Sequence, residues 1–188
     1  MKKLVLNISY IFIIVFLISC SNENIIVSTE GKVDYFPMQV GNSWTYSFND
    51  AEWNVQITGT KIIGGNLYFL FVRNFGSEID TTYFRKEENI IYINYLGTDY
   101  TYIDFNKATG EEWQSYENFY VKINKMNMNV EVAAGNFNNV IEILLENSSV
   151  SDLFEFNRYA PNIGLVESIG FRRKSELKSA FVNGISYP

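Results

Sequence analysis

The chain has 188 residues, a formal net charge of −6 and no histidine. Without histidine, Ser-His triads and the usual histidine-containing zinc sites are excluded, and the commonest general base is missing. An acidic chain with scattered Lys and Arg offers no basic stripe to a phosphate backbone, so we do not expect nucleic acid as a partner.

The first 19 residues have the length and polarity of a secretory signal. Two lysines, Lys2 and Lys3, precede an apolar run from Leu4 to Ile18 that carries no charge. A membrane-spanning helix needs about 20 apolar residues, and this run is shorter. Residues 1–19 are therefore predicted to be a signal peptide that is removed. Its removal leaves 169 residues, about one domain, with a formal net charge of −8.

Cys20 is the only cysteine, and it follows the apolar run directly. The stretch Leu17-Ile18-Ser19-Cys20 resembles the lipobox of bacterial lipoproteins, whose cysteine thiol receives a lipid. The resemblance implies a diacylated, palmitate-type anchor on Cys20 and a cell-envelope location with the membrane as partner. Inner membrane, outer membrane and cell surface all stay open. The alternative is an incidental cysteine in a plain signal peptide or membrane anchor.

Residues 20–34 are predicted to form the lipidated cysteine and a tether, because they are polar apart from Ile25-Ile26-Val27. This apolar triplet also fits an edge strand of the domain, and that alternative stays open. We place the domain itself at residues 35–188.

Alternation of apolar and polar residues dominates the domain. The stretch SWTYSFN, residues 43–49, places Trp44, Tyr46 and Phe48 on one face. The stretch EWNVQIT, residues 52–58, places Trp53, Val55 and Ile57 on one face. This pattern predicts a β-hairpin in which Trp44 and Trp53 are buried neighbours on paired strands.

Short strands separated by turn residues continue to the end of the chain. They predict a mainly β fold: a single curved antiparallel sheet, formed as a meander that closes into a half-barrel or barrel. Leu67 to Val72 is apolar throughout, which is typical of a strand covered on both faces. Short helices are allowed only at Asn138 to Leu145 and Lys174 to Val182.

Four phrases resemble those of an uncharacterised type of bacterial envelope lipoprotein. They begin at Tyr35 (YFPMQVGNSWTYSF), Gly110 (GEEW), Ala134 (AGNF) and Tyr159 (YAPNIGLV). The resemblance implies a curved antiparallel sheet similar to the half-barrels of periplasmic lipoprotein carriers, and it supplies no catalytic residues. Physically, the phrases predict turn glycines with positive φ at Gly41 and Gly135, and a hairpin turn at Pro161 to Gly164.

Three acidic segments are candidate catalytic or metal sites. Glu87-Glu88 and Glu111-Glu112 are adjacent pairs, and neighbours on a strand point to opposite faces, so neither pair can flank one bond. Asp104 to Glu112 faintly resembles a calcium loop but lacks its glycine and ligand spacing. We interpret these segments as turns and expect neither catalytic residues, metal nor cofactor.

Aromatic residues make up 16% of the chain, more than a small core normally needs. On the concave face of a curled sheet, part of them could hold an acyl chain or stack on sugars. Tyr100, Tyr102 and Trp113 are the predicted ligand-facing residues, and Tyr100 and Tyr102 share a face with Asp104 by alternation. The alternative is that the aromatics fill the core.

The sequence therefore favours a non-enzymatic envelope lipoprotein that binds a lipid or other apolar ligand, or that serves as an assembly module for an envelope protein. The alternatives are a hydrolase that uses carboxylates and a glycan-binding protein. A deep apolar pocket would favour the carrier, and a filled barrel would favour an interaction role or glycan binding.

Overall fold

A computed structural model describes residues 33–49, 51–150 and 152–188. Within it, Val33–Pro188 forms one compact unit. The predicted signal peptide, Cys20 and the Ile25-Ile26-Val27 triplet lie outside the described residues, and their assignments stay predictions.

The compact unit is built from thirteen strands joined mostly by short turns. The first seven are β1 (Ser43–Phe48), β2 (Ala51–Ile63), β3 (Asn66–Asn74), β4 (Ile79–Glu87), β5 (Ile90–Tyr95), β6 (Thr98–Asp104) and β7 (Glu112–Gln114). The remaining six are β8 (Phe119–Val132), β9 (Gly135–Asn147), β10 (Phe154–Ala160), β11 (Gly164–Gly170), β12 (Arg173–Val182) and β13 (Ile185–Tyr187).

All strand pairs are antiparallel and belong to one sheet, in the order β6-β5-β4-β3-β2-β1-β12-β11-β10-β9-β8-β7, with β13 added to β12. The sheet curls into a nearly closed barrel, so the predicted fold class is confirmed. Every pair except β1–β12 joins strands that are consecutive in sequence, and the consecutive strands β6 and β7 do not pair with each other. The edge strands β6 and β7 face each other at a seam.

The described part of the chain contains no helix, and so none that could cross a membrane. The two segments where a short helix was allowed are strands: Asn138 to Leu145 belongs to β9 and Lys174 to Val182 to β12. In β9 the run from Val140 to Leu145 is buried on both faces, which removed the alternation that would have marked it as a strand.

The β1–β2 hairpin has the predicted facing, since Trp44 lies opposite Val55 and Tyr46 opposite Trp53. Trp44 is buried, whereas Trp53 is only half-buried. The prediction of two buried tryptophans is thus right for Trp44 and wrong for Trp53, because Trp53 lies at the rim of the barrel.

The end of the barrel away from the β1–β2 turn is covered by Val33–Asn42, the segment before β1. Phe36 packs its ring against Phe71, Phe84 and Tyr159, with centroids 5.4, 5.5 and 5.9 Å away. The backbone N of Asn162, in the turn after β10, donates to the carbonyl oxygen of Asp34. We call Val33–Asn42 the floor segment.

Turn glycines have the predicted conformation. Gly41 and Gly135 have φ of 97° and 129°, in the region that side chains disfavour. Pro161 to Gly164 connects β10 to β11 as a hairpin turn, as predicted.

The outer face of β9 to β11 carries a buried ionic ladder, which we define as Glu142, Arg158 and Glu167. Arg158 Nε donates to Glu142 Oε2 at 2.7 Å, and its Nη1 donates to Glu167. Both glutamate side chains are only 3% exposed. The three residues are opposite one another in register, so the ladder locks the alignment of these strands.

Candidate ligand-binding cavity

The barrel encloses a cavity of about 500 Å³. Residues at its rim, such as Phe75 and Leu153, are 47% and 38% exposed and lie next to the β3–β4 and β9–β10 turns. The cavity is therefore open at the end opposite the floor segment. Its lining is Phe36, Pro37, Trp44, Tyr46, Phe48, Trp53, Val55, Phe71, Arg73, Phe75, Thr82, Phe84, Tyr102, Tyr116, Phe119, Leu145, Leu153, Phe154, Glu155, Asn157, Tyr159, Gly164, Leu165, Ser168, Arg173 and Ser175.

One side of the cavity, formed by β1 to β4, is largely aromatic, and we call it the aromatic wall. Its outer part is a stack in which the ring of Trp53 lies 4.5 Å from that of Tyr46 and 5.1 Å from that of Phe75. Deeper inside, Trp44 and Phe71 stack at 6.2 Å. Alternation explains this wall, because every second residue of these strands points inward.

Two of the buried aromatics are fixed by their polar atoms. Trp44 Nε1 donates to the carbonyl oxygen of Ile163 at 2.7 Å, and the Tyr46 hydroxyl donates to that of Leu165 at 3.0 Å. Burial raises the pKa of Tyr46 well above the ordinary value of a phenol. The hydroxyl is thus neutral at physiological pH and serves to hold the ring in place.

The adjoining strands β10 to β12 carry a polar row, defined as Asn157, Ser168 and Ser175. Asn157 on β10 lies opposite Ser168 on β11, which lies opposite Ser175 on β12, and all three line the cavity. Glu155, two residues before Asn157, also lines the cavity and accepts a hydrogen bond from the Ser168 hydroxyl.

Asn157 is the deepest member of this group and is only 4% exposed. Its Oδ1 has no hydrogen-bond partner among the described residues. A buried polar atom without a partner is costly, and such atoms are few in native proteins. Arg73 Nε is the other buried polar atom of this lining without a partner among the described residues.

Two arginines complete the lining. Arg73 donates from Nη2 to the Thr82 hydroxyl at 3.3 Å and forms an ion pair with Asp80. Arg173 lies in the rim, with its side chain close to Gly170. Arg73 is thus paired through Nη2, whereas its Nε is buried without a partner among the described residues, and Arg173 is at the opening.

Of the three residues predicted to face a ligand, Tyr102 lines the cavity. Tyr100 and Trp113 are partly buried against the core and are not in the lining. Opposite Tyr102, the pairing of β5 and β6 shifts register between Ile91 and Tyr92. This shift interrupts the apolar–polar alternation from which Tyr100 and Tyr102 were predicted to share one face of β6. Whether any of the three faces a ligand stays a prediction.

The candidate acidic segments lie at strand ends and in the connections that follow or precede them: Glu87, Asp104 and Glu112 are terminal residues of β4, β6 and β7, and Glu88 and Glu111 lie in connections. Glu88 occupies the β4–β5 turn with φ of 53°. Glu111 accepts from the backbone N of Ala108 at 2.5 Å, and Asp104 from that of Asn106 at 3.0 Å, so both stabilise the β6–β7 connection. Among the described residues, no group of three acidic or sulfur ligands could hold a metal ion.

The polar row was missed by sequence analysis. Its members come from three strands whose relative register no local pattern reveals, and serines and asparagine in β-rich chains are common turn residues. The only available signal was Asn157 itself, a polar residue within the aromatic-rich stretch from Phe154 to Tyr159.

Comparison with known proteins gives few matches. No family model matches the sequence, and no curated protein matches it significantly. The fold is similar to a Bacteroides fragilis protein classed as exported with a YmcC-like fold, with 13% identity, a TM-score of 0.48, and 79% of this chain and 99% of that one covered. A Parabacteroides distasonis protein classed as a lipoprotein gives 14% identity, a TM-score of 0.43, and 79% and 98% coverage. These values are too low to assign a family or a function.

Proposed function

We propose that this protein is a lipid-anchored, non-enzymatic protein of the bacterial cell envelope whose barrel binds an elongated apolar or amphipathic small molecule. The observation that carries the proposal is the aromatic cavity of about 500 Å³, open at one end. Small-molecule sites typically have volumes of about 300 to 1,000 Å³ and are mostly apolar with a few polar groups.

The energetics of such a ligand are favourable. Burying ten methylenes could contribute about 8 kcal/mol before entropy losses, which is enough for useful affinity. The aromatic wall contributes preformed surface, because Trp44 and Tyr46 are already held by hydrogen bonds to the backbone. No covalent chemistry is required.

The hydrolase alternative is less well supported. Glycoside hydrolysis by carboxylates needs two of them across one bond, and Glu155 is the one carboxylate in the cavity lining formed by the described residues. One observation favours the glycan alternative: the rings of Tyr46, Trp53 and Phe75 are stacked at the opening, where they could pack against a sugar.

The test of binding is a titration of the purified full chain with a fluorescent fatty acid and, separately, with oligosaccharides. Val55→Trp should weaken lipid binding at least about tenfold, because Val55 lines the cavity. The matched control is Asn54→Trp, since adjacent strand residues point to opposite faces and Asn54 is exposed. Sugar binding alone would select the glycan alternative. Absence of both would reject ligand binding.

The anchor is tested separately by metabolic labelling with a fatty-acid analogue. Cys20→Ser should abolish labelling and leave an uncleaved precursor, because a hydroxyl does not replace the thiol. Equal labelling of the wild type and the variant would reject the lipoprotein proposal.

A further inference from the structure

We propose that the open end of the barrel docks on a lipid surface, and that exposed apolar side chains around the opening enter the lipid. This inference rests on the proposed function, because an apolar ligand that passes directly between a membrane and the cavity does not have to cross water. It goes beyond the lipid anchor, since it states which end of the barrel faces the membrane.

Six large apolar side chains lie around the opening, and we call them the apolar rim. They are Phe75, Ile79, Leu96, Val150, Leu153 and Phe171. Each is more than a third exposed, and together they lie in or beside four of the turns at this end. Phe75 and Leu153 also line the cavity, so the apolar rim continues into the cavity lining. Single exposed apolar residues are ordinary on protein surfaces, but a set around the mouth of an apolar cavity is typical of an interaction site.

Leu96 is the most exposed member of the apolar rim, at 89%, and its backbone has a φ of 49°. It begins the two-residue β5–β6 turn, where Asn, Asp and Gly are favoured because other side chains disfavour positive φ. The other eight non-glycine residues with positive φ in the described part of the chain are all polar or charged. Leucine is thus unfavourable here both for the turn and for contact with water, and strain of this kind suggests a function.

The turns at the floor end have a different composition. The two-residue turns there are Gly64-Gly65, Glu88-Asn89, Ala133-Ala134 and Asn183-Gly184, all small or polar. Of the three two-residue turns at the opening, two begin with a large apolar residue, Leu96 or Phe171, and the third begins with Asn49. Exposed apolar residues near the floor end, such as Ile62 and Val40, lie in strands or in the floor segment. The opening is therefore the end whose turn tips are apolar.

The proposed tether is long enough for this orientation. Val33 lies at the floor end, so a lipid on Cys20 would be joined to the barrel at the end away from the opening. The 13 residues of 20–32 separate them, and an extended chain of this length spans at most about 45 Å. β12 runs from the opening to the floor end in ten residues, roughly 30 Å. The tether can therefore pass along the barrel, and it leaves either end free to face the membrane.

Charged side chains at the opening have both signs. The exposed ones that form no ion pair among the described residues are Glu78, Glu117, Asp152, Arg172 and Arg173. Because the two signs nearly balance, attraction to anionic lipid is not expected to drive docking. The surface that fits the apolar rim is therefore a zwitterionic lipid surface, entered through burial of apolar side chains.

The experiment places a fluorescent label at each end of the lipidated full chain. Leu96→Cys and Phe171→Cys introduce single cysteines at the opening, and Ile62→Cys introduces one at the floor end. Each is labelled with nitrobenzoxadiazole and reconstituted into dioleoylphosphatidylcholine vesicles that contain a doxyl-labelled phosphatidylcholine as quencher. We expect quenching at least about threefold stronger at the opening, because interfacial side chains enter lipid by about 5 to 10 Å and the two ends are roughly 30 Å apart.

Leu96→Asn separates docking from folding. Because Asn is favoured at positive φ, this variant should keep or raise the urea midpoint. Quenching of the label on Phe171→Cys should nevertheless fall at least about twofold, since an apolar side chain is lost from the lipid contact. Ile62→Asn, at an exposed apolar residue of the floor end, is the matched control and should leave that quenching unchanged. Unchanged quenching in Leu96→Asn would overturn the role of the apolar rim.

The outcomes separate this inference from the proposed function. Stronger quenching at the floor end, equal quenching at both ends or no quenching at either would overturn the inference alone. The wild type should not take up the label, because Cys20 is the only cysteine and its thiol would carry the lipid. Labelling of the wild type would reject the lipoprotein proposal and the inference with it. The fatty-acid titration uses no vesicles, so a failure of ligand binding is recognised independently of docking.

Discussion

The indole of Trp113 donates from Nε1 to the carbonyl oxygen of Thr101 at 3.3 Å, and so joins β7 to β6. These two strands are the ends of the sheet and share no backbone ladder. A second contact crosses the same seam, from the end of β5 to the β7–β8 connection: the Tyr95 ring packs 5.3 Å from that of Tyr116, and the Tyr95 hydroxyl donates to Glu117. Side chains, rather than strand pairing, therefore close the barrel.

Trp113→Phe should loosen this seam. We expect a loss of about 1 kcal/mol in unfolding free energy, since one hydrogen bond is removed and a large ring is kept. Amide hydrogen exchange in β6 and β7 should accelerate more than in β2. Tyr120→Phe, at an exposed tyrosine of β8, is the control. Unchanged exchange at both edge strands would contradict the assignment of Trp113 to the seam.

Arg158→Met should destabilise the protein by about 3 kcal/mol, the lower end for a broken buried ion pair, because Glu142 and Glu167 lose their shared cation while Lys174 still lies 2.8 Å from Glu167. Urea unfolding measures the loss. Lys178→Met is the control: its ion pair with Glu52 is about half exposed on both sides, so its loss should be below about 1 kcal/mol. Equal losses for the two variants would show that the ladder is not buried in solution.

Asp99 should make stability depend on acidity. Burial alone would raise its pKa, but hydrogen bonds from Tyr68, Arg85 and Asn94 outweigh burial and lower the pKa below the ordinary 3.8. The unfolded chain therefore binds this proton more readily than the folded one. The contribution of Asp99 is present above about pH 4 and is lost as the pH falls through its lower folded value.

The test is the difference in unfolding free energy between wild type and Asp99→Asn across pH. We expect about 1 to 2 kcal/mol at pH 7, because hydrogen bonds to a charged group are removed. The difference should shrink below about pH 4. Asp80→Asn, in the exposed pair with Arg73, should show little effect at any pH. A penalty for Asp99→Asn that stays constant to pH 2.5 would refute the lowered pKa.

The two cavity tryptophans should differ in their effect on stability. Trp44→Ala should cost about 3 to 5 kcal/mol, because the side chain is 4% exposed and its N–H is paired. Trp53→Ala should cost less, since Trp53 is half-buried at the rim. Urea unfolding of both variants, with Trp44→Phe to isolate the hydrogen bond, measures the difference. Equal losses would contradict the rim position of Trp53.

Alternation was enough to predict the β class and the inward faces of the first hairpin, because the side-chain period of a strand is two whatever its partners are. It was also right for β8, where Met126, Met128, Val130 and Val132 are more buried than the residues between them. It was uninformative for Val140 to Leu145, where burial on both faces leaves no alternating signal.

Features that depend on pairing between distant segments could not be predicted. The polar row requires the register of β10, β11 and β12, and Trp113 meets Thr101 only because the whole sheet curls. The half-buried state of Trp53 likewise depends on how far the barrel extends beyond it. A local stretch of sequence contains no information on the register of distant strands, on how far the sheet curls, or on where the barrel ends.

If the cavity binds a ligand as proposed, the floor segment would limit the length of that ligand. Phe36 and Pro37 reach the bottom of the cavity from outside the regular strands, so the width of the cavity is determined by the sheet and its depth by this separate stretch of chain. Exchanging Phe36 for a smaller or larger residue would therefore shift the preferred chain length of a guest while leaving the strand pairing intact. Molecules of different length could be accommodated by changing one short segment, with the barrel itself unaltered.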